Sequence, residues 1–327
     1  MKEGGFWEGA GLGKNNRDGS IFLKNRTVPD FSTDKLEILK RILRSYGRVL
    51  VAFSGGSDSA FVLKVARECL GKENAVAVIA KSPSLPQSEL EEAKQIADEI
   101  DSELQVIETH ELENPHYASN PVNRCYFCKT ELYSHLAPLA VRLGFRYILN
   151  GTNQDDLGDW RPGLKAAEEF EIKSPLAEAG FSKSEVRSAS RELGLSTWSK
   201  PQAACLSSRI PFGTEVTPER LQQIEEGERV LKHLGFEVVR LRWFEEKAMI
   251  EVDADETQIF FRNPEVRENA LSKLKNLGFQ TVLLDLQGYR SGRFNPVTSQ
   301  GNLFLEKKSS LLKRIPPSPK ARIAEAL

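Results

Sequence analysis

Two groups of residues in this 327-residue sequence have types and spacing that could do chemistry. The first is Ser54-Gly55-Gly56-Ser57-Asp58-Ser59, which directly follows the apolar run from Val49 to Phe53 and precedes a helical pattern. Glycines let a backbone approach an anion closely, successive N–H groups form a concave nest, and a helix N-terminus adds partial positive charge. It is not the lysine-bearing phosphate loop, because no Lys follows the second glycine. An ordinary Gly-Ser turn is the alternative; the strand before it and the Asp-Ser after it favour an anion site. The second group is the cysteines. Cys125 and Cys128 form a CxxC within Asn123–Lys129, and Cys205 lies in a polar stretch from Lys200 to Arg209. Asn123 is placed to cap a helix, which puts both thiols of the pair in its first turn, where the helix N-terminus and Lys129 favour thiolate. Cys69 sits on the apolar face of another helix and reads as an inert core residue. Three thiolates can hold a metal centre with one position open. Structural zinc wants a fourth ligand, and none of His110, His116, His135 and His233 stands at zinc-motif spacing. A 4Fe–4S cluster tolerates three cysteines and leaves one iron free. Structural thiols or a redox disulfide fit the spacing equally well.

The elements that position these groups alternate. Apolar runs at Val49 to Phe53, Ala75 to Lys81, Leu104 to Glu108 and Tyr147 to Asn150 read as strands. Between them, Ala60 to Leu70, Ser88 to Asp101 (with a capping box of Ser88 and Glu91) and Thr130 to Leu143 read as helices. This pattern predicts an α/β fold, a doubly wound parallel sheet whose ligands lie beyond the strand C-termini. The Ser54 loop falls at that edge, and so does Asn150–Asp156. A boundary is expected near Phe212. Helix Pro218 to Leu234, strands Glu237 to Trp243 and Ala248 to Val252, helix Pro264 to Leu277 and strand Thr281 to Leu286 then make a smaller α+β domain. The expected division is a tail over 1–30, a nucleotide domain over 31–212, the α+β domain over 213–305, and a basic, proline-containing tail over 306–327.

The formal net charge is −1, so bulk electrostatics gives no sign of a nucleic-acid or acidic-membrane partner. No apolar run approaches the ~20 residues of a membrane helix, and the first thirty residues lack a signal-peptide core, so a cytoplasmic location is expected.

SGGSDS resembles the pyrophosphate loop of the PP-loop ATP pyrophosphatases. With NRCYFCK at Asn123, GTNQDDLGDWRPG at Gly151, SPLAEAGFSKSEVR at Ser174 and KPQAACLSSRIPFG at Lys200, the sequence resembles the LarE family, the ATP-dependent sulfur insertases of nickel-pincer nucleotide biosynthesis. The resemblance covers about Asp34 to Gly292 and is weaker after Gly213, through Glu228, Arg240–Arg242 and Asp285–Gly292. It implies that ATP and Mg²⁺ adenylylate a carboxylate of a pyridinium mononucleotide, and that sulfur then replaces AMP to give a thiocarboxylate. Ser54, Gly55, Gly56, Ser57, Asp58 and Ser59 would hold ATP, with Asp58 helping to hold Mg²⁺. Cys205 falls where one branch of the family sacrifices a cysteine sulfur. Cys125 and Cys128 are what the cluster-bearing branch needs in addition, so a 4Fe–4S cluster on Cys125, Cys128 and Cys205 is favoured over the sacrificial form. Glu228 resembles a family acid near the transfer site, with a solvated helix residue as the alternative. Arg209, Arg240 and Arg242 are candidates for substrate phosphate or carboxylates, which guanidinium matches bidentately, and Ser208 for a hydrogen bond there. Asp156, Asp159 and Arg161 are candidates to line the nucleotide pocket, with turn formers as the equal alternative; Trp160 and Trp198 are candidates for base stacking, with a core role the commoner alternative. The resemblance also implies a homo-oligomer and leaves the sulfide source open. The rivals are a tRNA thiolase, which should show a basic groove, an ammonia-using ligase such as an NAD or GMP synthetase, and a regulator that has lost catalysis.

Overall fold

The computed structural model describes residues 33–159 and 161–290; both expected tails and Trp160 lie outside the described residues. Four strands, β1 (Val49–Ala52), β2 (Ala75–Lys81), β3 (Leu104–Glu108) and β4 (Tyr147–Leu149), form a parallel sheet in the order β3-β2-β1-β4. The chain winds one way from β1 to β3 and then crosses to β4, so the crevice between β1 and β4 is the switch point where open α/β sheets bind ligands. Side-chain alternation divides the sheet's two faces. Val49 and Val51 pack with α1 (Thr33–Tyr46), α2 (Ser57–Leu70) and α3 (Gln87–Glu99), whereas Leu50 packs into a separate core. After the four-residue α4 (Pro115–Ala118), α5 (Arg124–Leu143) covers that second face. Short helices α6 (Gln154–Leu157), α7 (Gly163–Glu169) and α8 (Pro175–Glu178) follow β4, and α9 (Lys183–Glu192) returns to pack on α2. Among the described residues, no helix is long and apolar enough to cross a membrane.

Two local expectations fail for tertiary reasons. The Ser88–Glu91 capping box does not form: α3 starts at Gln87, whose N–H is capped by the Glu225 carboxylate at 2.6 Å, while Glu91 accepts from the Gln87 side chain. The third helix begins at Arg124 rather than Thr130; the expected helix start after Asn123, with both thiols in the first turn, is present, but the Asn123 side chain does not cap it. The CxxC segment is therefore helical although it lacks apolar periodicity.

The rest of the chain builds a three-stranded sheet, β5 (Val239–Phe244) antiparallel to β6 (Lys247–Val252) and β6 parallel to β7 (Thr281–Leu284). It packs with α10 (Pro218–His233), α11 (Thr257–Arg262) and α12 (Pro264–Asn276). This core also takes in Tyr117, Leu206 and Ile210, which precede residue 212, so the stretch carrying Cys205 is packed from both sides of the expected boundary.

Candidate active site

The Ser54–Ser59 loop is shaped by two glycines. Gly55 has φ +68°, and a Cβ there would lie 2.8 Å from the Cβ of Ala93, so both conformation and contact demand glycine. Gly151, from the loop after β4, packs on the start of α2: a Cβ there would stand 2.7 Å from the Ser59 nitrogen. Ser59 ties the loop from within. Its hydroxyl accepts from the Ser54 N–H at 3.2 Å and donates to the Gly56 carbonyl at 3.1 Å. No side chain caps α2 at Gly56, leaving its first N–H groups to face an anion. A cleft lined by Asp58, Asp155, Asp156, Asp159, Arg161, Lys183 and Gln202 opens beside this end.

Lys183 escaped the sequence reading and is central here. It is the first residue of α9, set by a capping box of Ser182 and Glu185. Its ammonium donates to Ser57 Oγ at 3.0 Å and pairs with Asp58 Oδ2. Asp58 Oδ1 is buried with no hydrogen-bond partner among the described residues. A second missed cation, Lys200, bonds the Gly55 carbonyl at 3.2 Å and sits 2.9 Å from Glu89, linking the loop to the stretch that leads to Cys205. Both lysines belong to stretches that carry the family resemblance, but nothing in their spacing reveals their partners. Asp156 lies in a capping box with Asn153 and pairs with Arg161 at 2.7 Å; burial first, and then Asp58 beside it, push its carboxyl up.

The structure brings Cys125, Cys128 and Cys205 within electrostatic reach of one another, and Cys69 stands apart against the first core. The thiolate expectation reverses. Burial pushes Cys128 up to about 12, outweighing Lys129. Cys125, though open to solvent, is raised by desolvation and then by Cys205, against Arg124, Lys129 and Arg161. Arg161 lines the Asp58 cleft and lies within electrostatic reach of Cys125; two residues on, Gly163 packs against the Cys125 carbonyl and Lys129. Arg124 is buried: it donates to the Asn120 side chain and to the Ser207 carbonyl at 3.1 Å, tying the CxxC helix to the turn after Cys205. Burial works against its charge, and the three thiols with Tyr117 more than compensate. The Tyr117 hydroxyl joins Ser207 at 2.7 Å to Ser84 at 2.8 Å, and Ser84 donates to buried Glu111 at 2.6 Å. Among the described residues, no three His, Cys, Asp or Glu side chains form a set that could hold a single metal ion.

The three arginines differ in kind. Arg209 is 2% exposed and bidentate to Glu228, at 2.9 and 3.1 Å, and it also donates to the Cys205 carbonyl at 2.8 Å. Glu228 further accepts from the Leu241 N–H. Ser208 Oγ donates to the Cys205 carbonyl at 2.7 Å. Arg242 is 5% exposed, bonds Glu251 through two nitrogens, and donates to the Ser208 carbonyl at 2.9 Å. Arg240, on the same face of β5, donates to its neighbour Val239's carbonyl and stacks over the Tyr289 ring at 5.1 Å. No carboxylate pairs with it among the described residues. Trp198 carries Arg191 on its ring at 5.0 Å.

Comparison with known proteins bears on both halves of the site. The NAD synthase family matches residues 34–120, the part that holds the loop. An uncharacterized protein, slr1717, of Synechocystis is 46% identical over 266 residues, covering 81% of this chain and 98% of that one. The pyridinium-3,5-bisthiocarboxylic acid mononucleotide synthase of Lactiplantibacillus plantarum is 37% identical over 270 residues, covering 82% and 96%. An uncharacterized protein, MJ0830, of Methanocaldococcus jannaschii is 30% identical over 244 residues, covering 75% and 91%. The match to the synthase runs over nearly its whole length, well past the shared loop, and on that ground this chain belongs to the LarE family of PP-loop proteins.

Proposed function

We propose that this protein adenylylates a carboxylate of a pyridinium dicarboxylate mononucleotide and replaces AMP with sulfur, giving a thiocarboxylate. The observation that carries the reading is the junction of the two halves of the site: Arg161 lines the Asp58 cleft two residues before Gly163, where a Cβ would stand 3.5 Å from the Cys125 carbonyl, and Lys200 links Gly55 to the Cys205 stretch.

In the first step a carboxylate oxygen attacks the α-phosphorus of ATP, the bond to the β-phosphate oxygen breaks, and pyrophosphate leaves. The glycine-shaped loop and the uncapped start of α2 stabilise that leaving anion. Asp58 Oδ1, buried and without a partner among the described residues, would suit a magnesium ligand, and Lys183, now paired with Oδ2, would then be available to phosphate oxygens. In the second step a sulfur nucleophile attacks the acyl carbon, the bond to AMP breaks, and AMP leaves. Arg209 and Ser208 fix the Cys205 carbonyl, and Glu228 holds Arg209. These residues orient the turn that carries Cys205.

Three thiols gathered beside Arg124 and the partly buried Lys129 fit a polyanionic iron–sulfur group, whose thiolates sit on separate irons rather than around one ion. Cys125, Cys128 and Cys205 would hold a 4Fe–4S cluster, which supplies an open iron for an exchangeable sulfur ligand. Anaerobic reconstitution tests the ligand set. Iron and labile sulfide should be lost in Cys125→Ser, Cys128→Ser and Cys205→Ser and kept in Cys69→Ser. A full iron–sulfur absorption spectrum in Cys125→Ser removes that residue from the set. Pyrophosphate release from ATP and Mg²⁺ should require the pyridinium mononucleotide. Release driven by tRNA instead, weakening steeply with salt, points to the thiolase.

A further inference from the structure

We infer that Tyr289 is a positioning residue for Arg240, restricting its guanidinium so that its N–H groups receive an oxyanion of the substrate. The inference rests on the proposed reading, in which an anionic pyridinium mononucleotide meets the arginines near Cys205.

Three guanidiniums crowd this end of the molecule, and two are committed. Arg209 binds the Glu228 carboxylate and the Cys205 carbonyl, and Arg242 binds the Glu251 carboxylate and the Ser208 carbonyl. Among the described residues, Arg240 has the bond to Val239 and the cation–ring contact with Tyr289. It is half-buried, and burial first, then the like charge of Arg209, lower its pKa. Glu228 favours its charge from a distance but is bonded to Arg209, and no carboxylate forms an ion pair with Arg240 among the described residues, so its donors are open to an anion from outside the chain.

The placement of Tyr289 is built. Asp285 joins the sheet through its N–H to the Ile250 carbonyl, and its Oδ1 accepts from the Gln287 N–H at 2.9 Å. Gly288 then turns at φ +71°, where a Cβ would stand 2.8 Å from the Ala254 backbone, so only glycine fits. The Tyr289 N–H donates to the Val252 carbonyl at 2.7 Å, which fixes the residue at the end of β6. Its ring therefore meets Arg240 from the neighbouring strand. The guanidinium carbon lies over the ring, 5.1 Å from its centre, and a ring there restricts the guanidinium while its N–H groups stay able to bind phosphate or carboxylate bidentately.

The test is a double-mutant cycle on binding of the pyridinium mononucleotide to the metal-free protein, read by calorimetry. Tyr289→Ala should weaken binding about tenfold, and Tyr289→Phe should leave it near wild type. The double variant with Arg240→Ala should bind no worse than Arg240→Ala alone, because the ring acts only through that arginine. Losses that multiply overturn the inference, as does a Tyr289→Phe as weak as Tyr289→Ala. The dephosphorylated riboside separates the sources of the anion: a cycle that loses its coupling assigns phosphate, and one that keeps it assigns a carboxylate. In pyrophosphate release, Tyr289→Ala should raise KM and spare kcat. Wild-type release that needs the mononucleotide, together with an additive cycle, sinks the role of Tyr289 and leaves the proposed activity standing. Wild-type protein that neither binds nor uses the mononucleotide sinks both.

Discussion

The nucleotide loop and the thiol recess are held in opposite ways. The loop is six contiguous residues shaped by backbone, braced by Ser59 and by Gly151 from one neighbouring loop. Its charged groups, Asp58 and Lys183, are partly exposed and paired with each other, so a metal ion and a polyphosphate can take them over. The recess draws Arg124, Cys125 and Cys128 from α5, Tyr117 from α4, and Ser207 and Arg209 from the turn after Cys205, and most of its polar groups are buried and bonded. The first design suits a ligand that comes and goes with each turnover. The second suits a group that must stay in one place.

The sharpest way to break this contrast is to cut each region alone. Asp58→Ala should lower mononucleotide-dependent pyrophosphate release by about 100- to 1000-fold, the scale of losing one electrostatic stabiliser of a leaving anion, and leave iron loading intact. Cys205→Ser should do the reverse, losing iron and sparing ATP cleavage. If Cys205→Ser also stops pyrophosphate release, the two regions are one device and the comparison fails.

A smaller but general effect concerns folding. Arg209 and Glu228 form a buried pair, so Glu228→Leu leaves a buried guanidinium uncompensated and should cost about 3–5 kcal/mol in urea unfolding. Gly151→Ala only forces a Cβ against the start of α2 and should cost about 1–3 kcal/mol, with a larger loss in ATP affinity than in iron loading. Equal sensitivity of the two sites to both variants would remove the distinction between a backbone-made and a side-chain-made site.

The same contrast explains what the sequence could tell. The loop and strands β1 to β4 were readable because their signals are local: apolar runs, two glycines, and an acid after a turn. The three cysteines could be grouped from their types, but spacing left a cluster, structural thiols and a disulfide open, and only the family resemblance favoured the cluster. Arg209 and Arg242 looked like free anion receptors because their partners, Glu228 and Glu251, lie 19 and 9 residues away, on another helix and across a strand pair. Local rules predicted thiolates in the first turn of α5, but burial, which no spacing reveals, reversed the direction. Lys183 is one lysine at one helix start; only the fold puts it on Asp58.

The smallest expected effect concerns pH and tests the reversal itself. The Cys128 thiol titrates near 8.5 in an unfolded chain and is pushed up to about 12 in the folded one. A raised pKa means that the folded chain holds this proton more tightly. The group therefore adds stability below about pH 8.5, and that contribution is lost as pH climbs through about 12. Tyr126 is also pushed up to about 12, so a wild-type curve alone cannot assign the loss. Cys128→Ser keeps Tyr126 and removes only the thiol. In metal-free protein its stability should fall less steeply than wild type between about pH 9 and 12, when urea midpoints are compared across that window. Parallel curves would mean that Cys128 is not desolvated, and the rigid, buried character assigned to the recess would lose its most direct support.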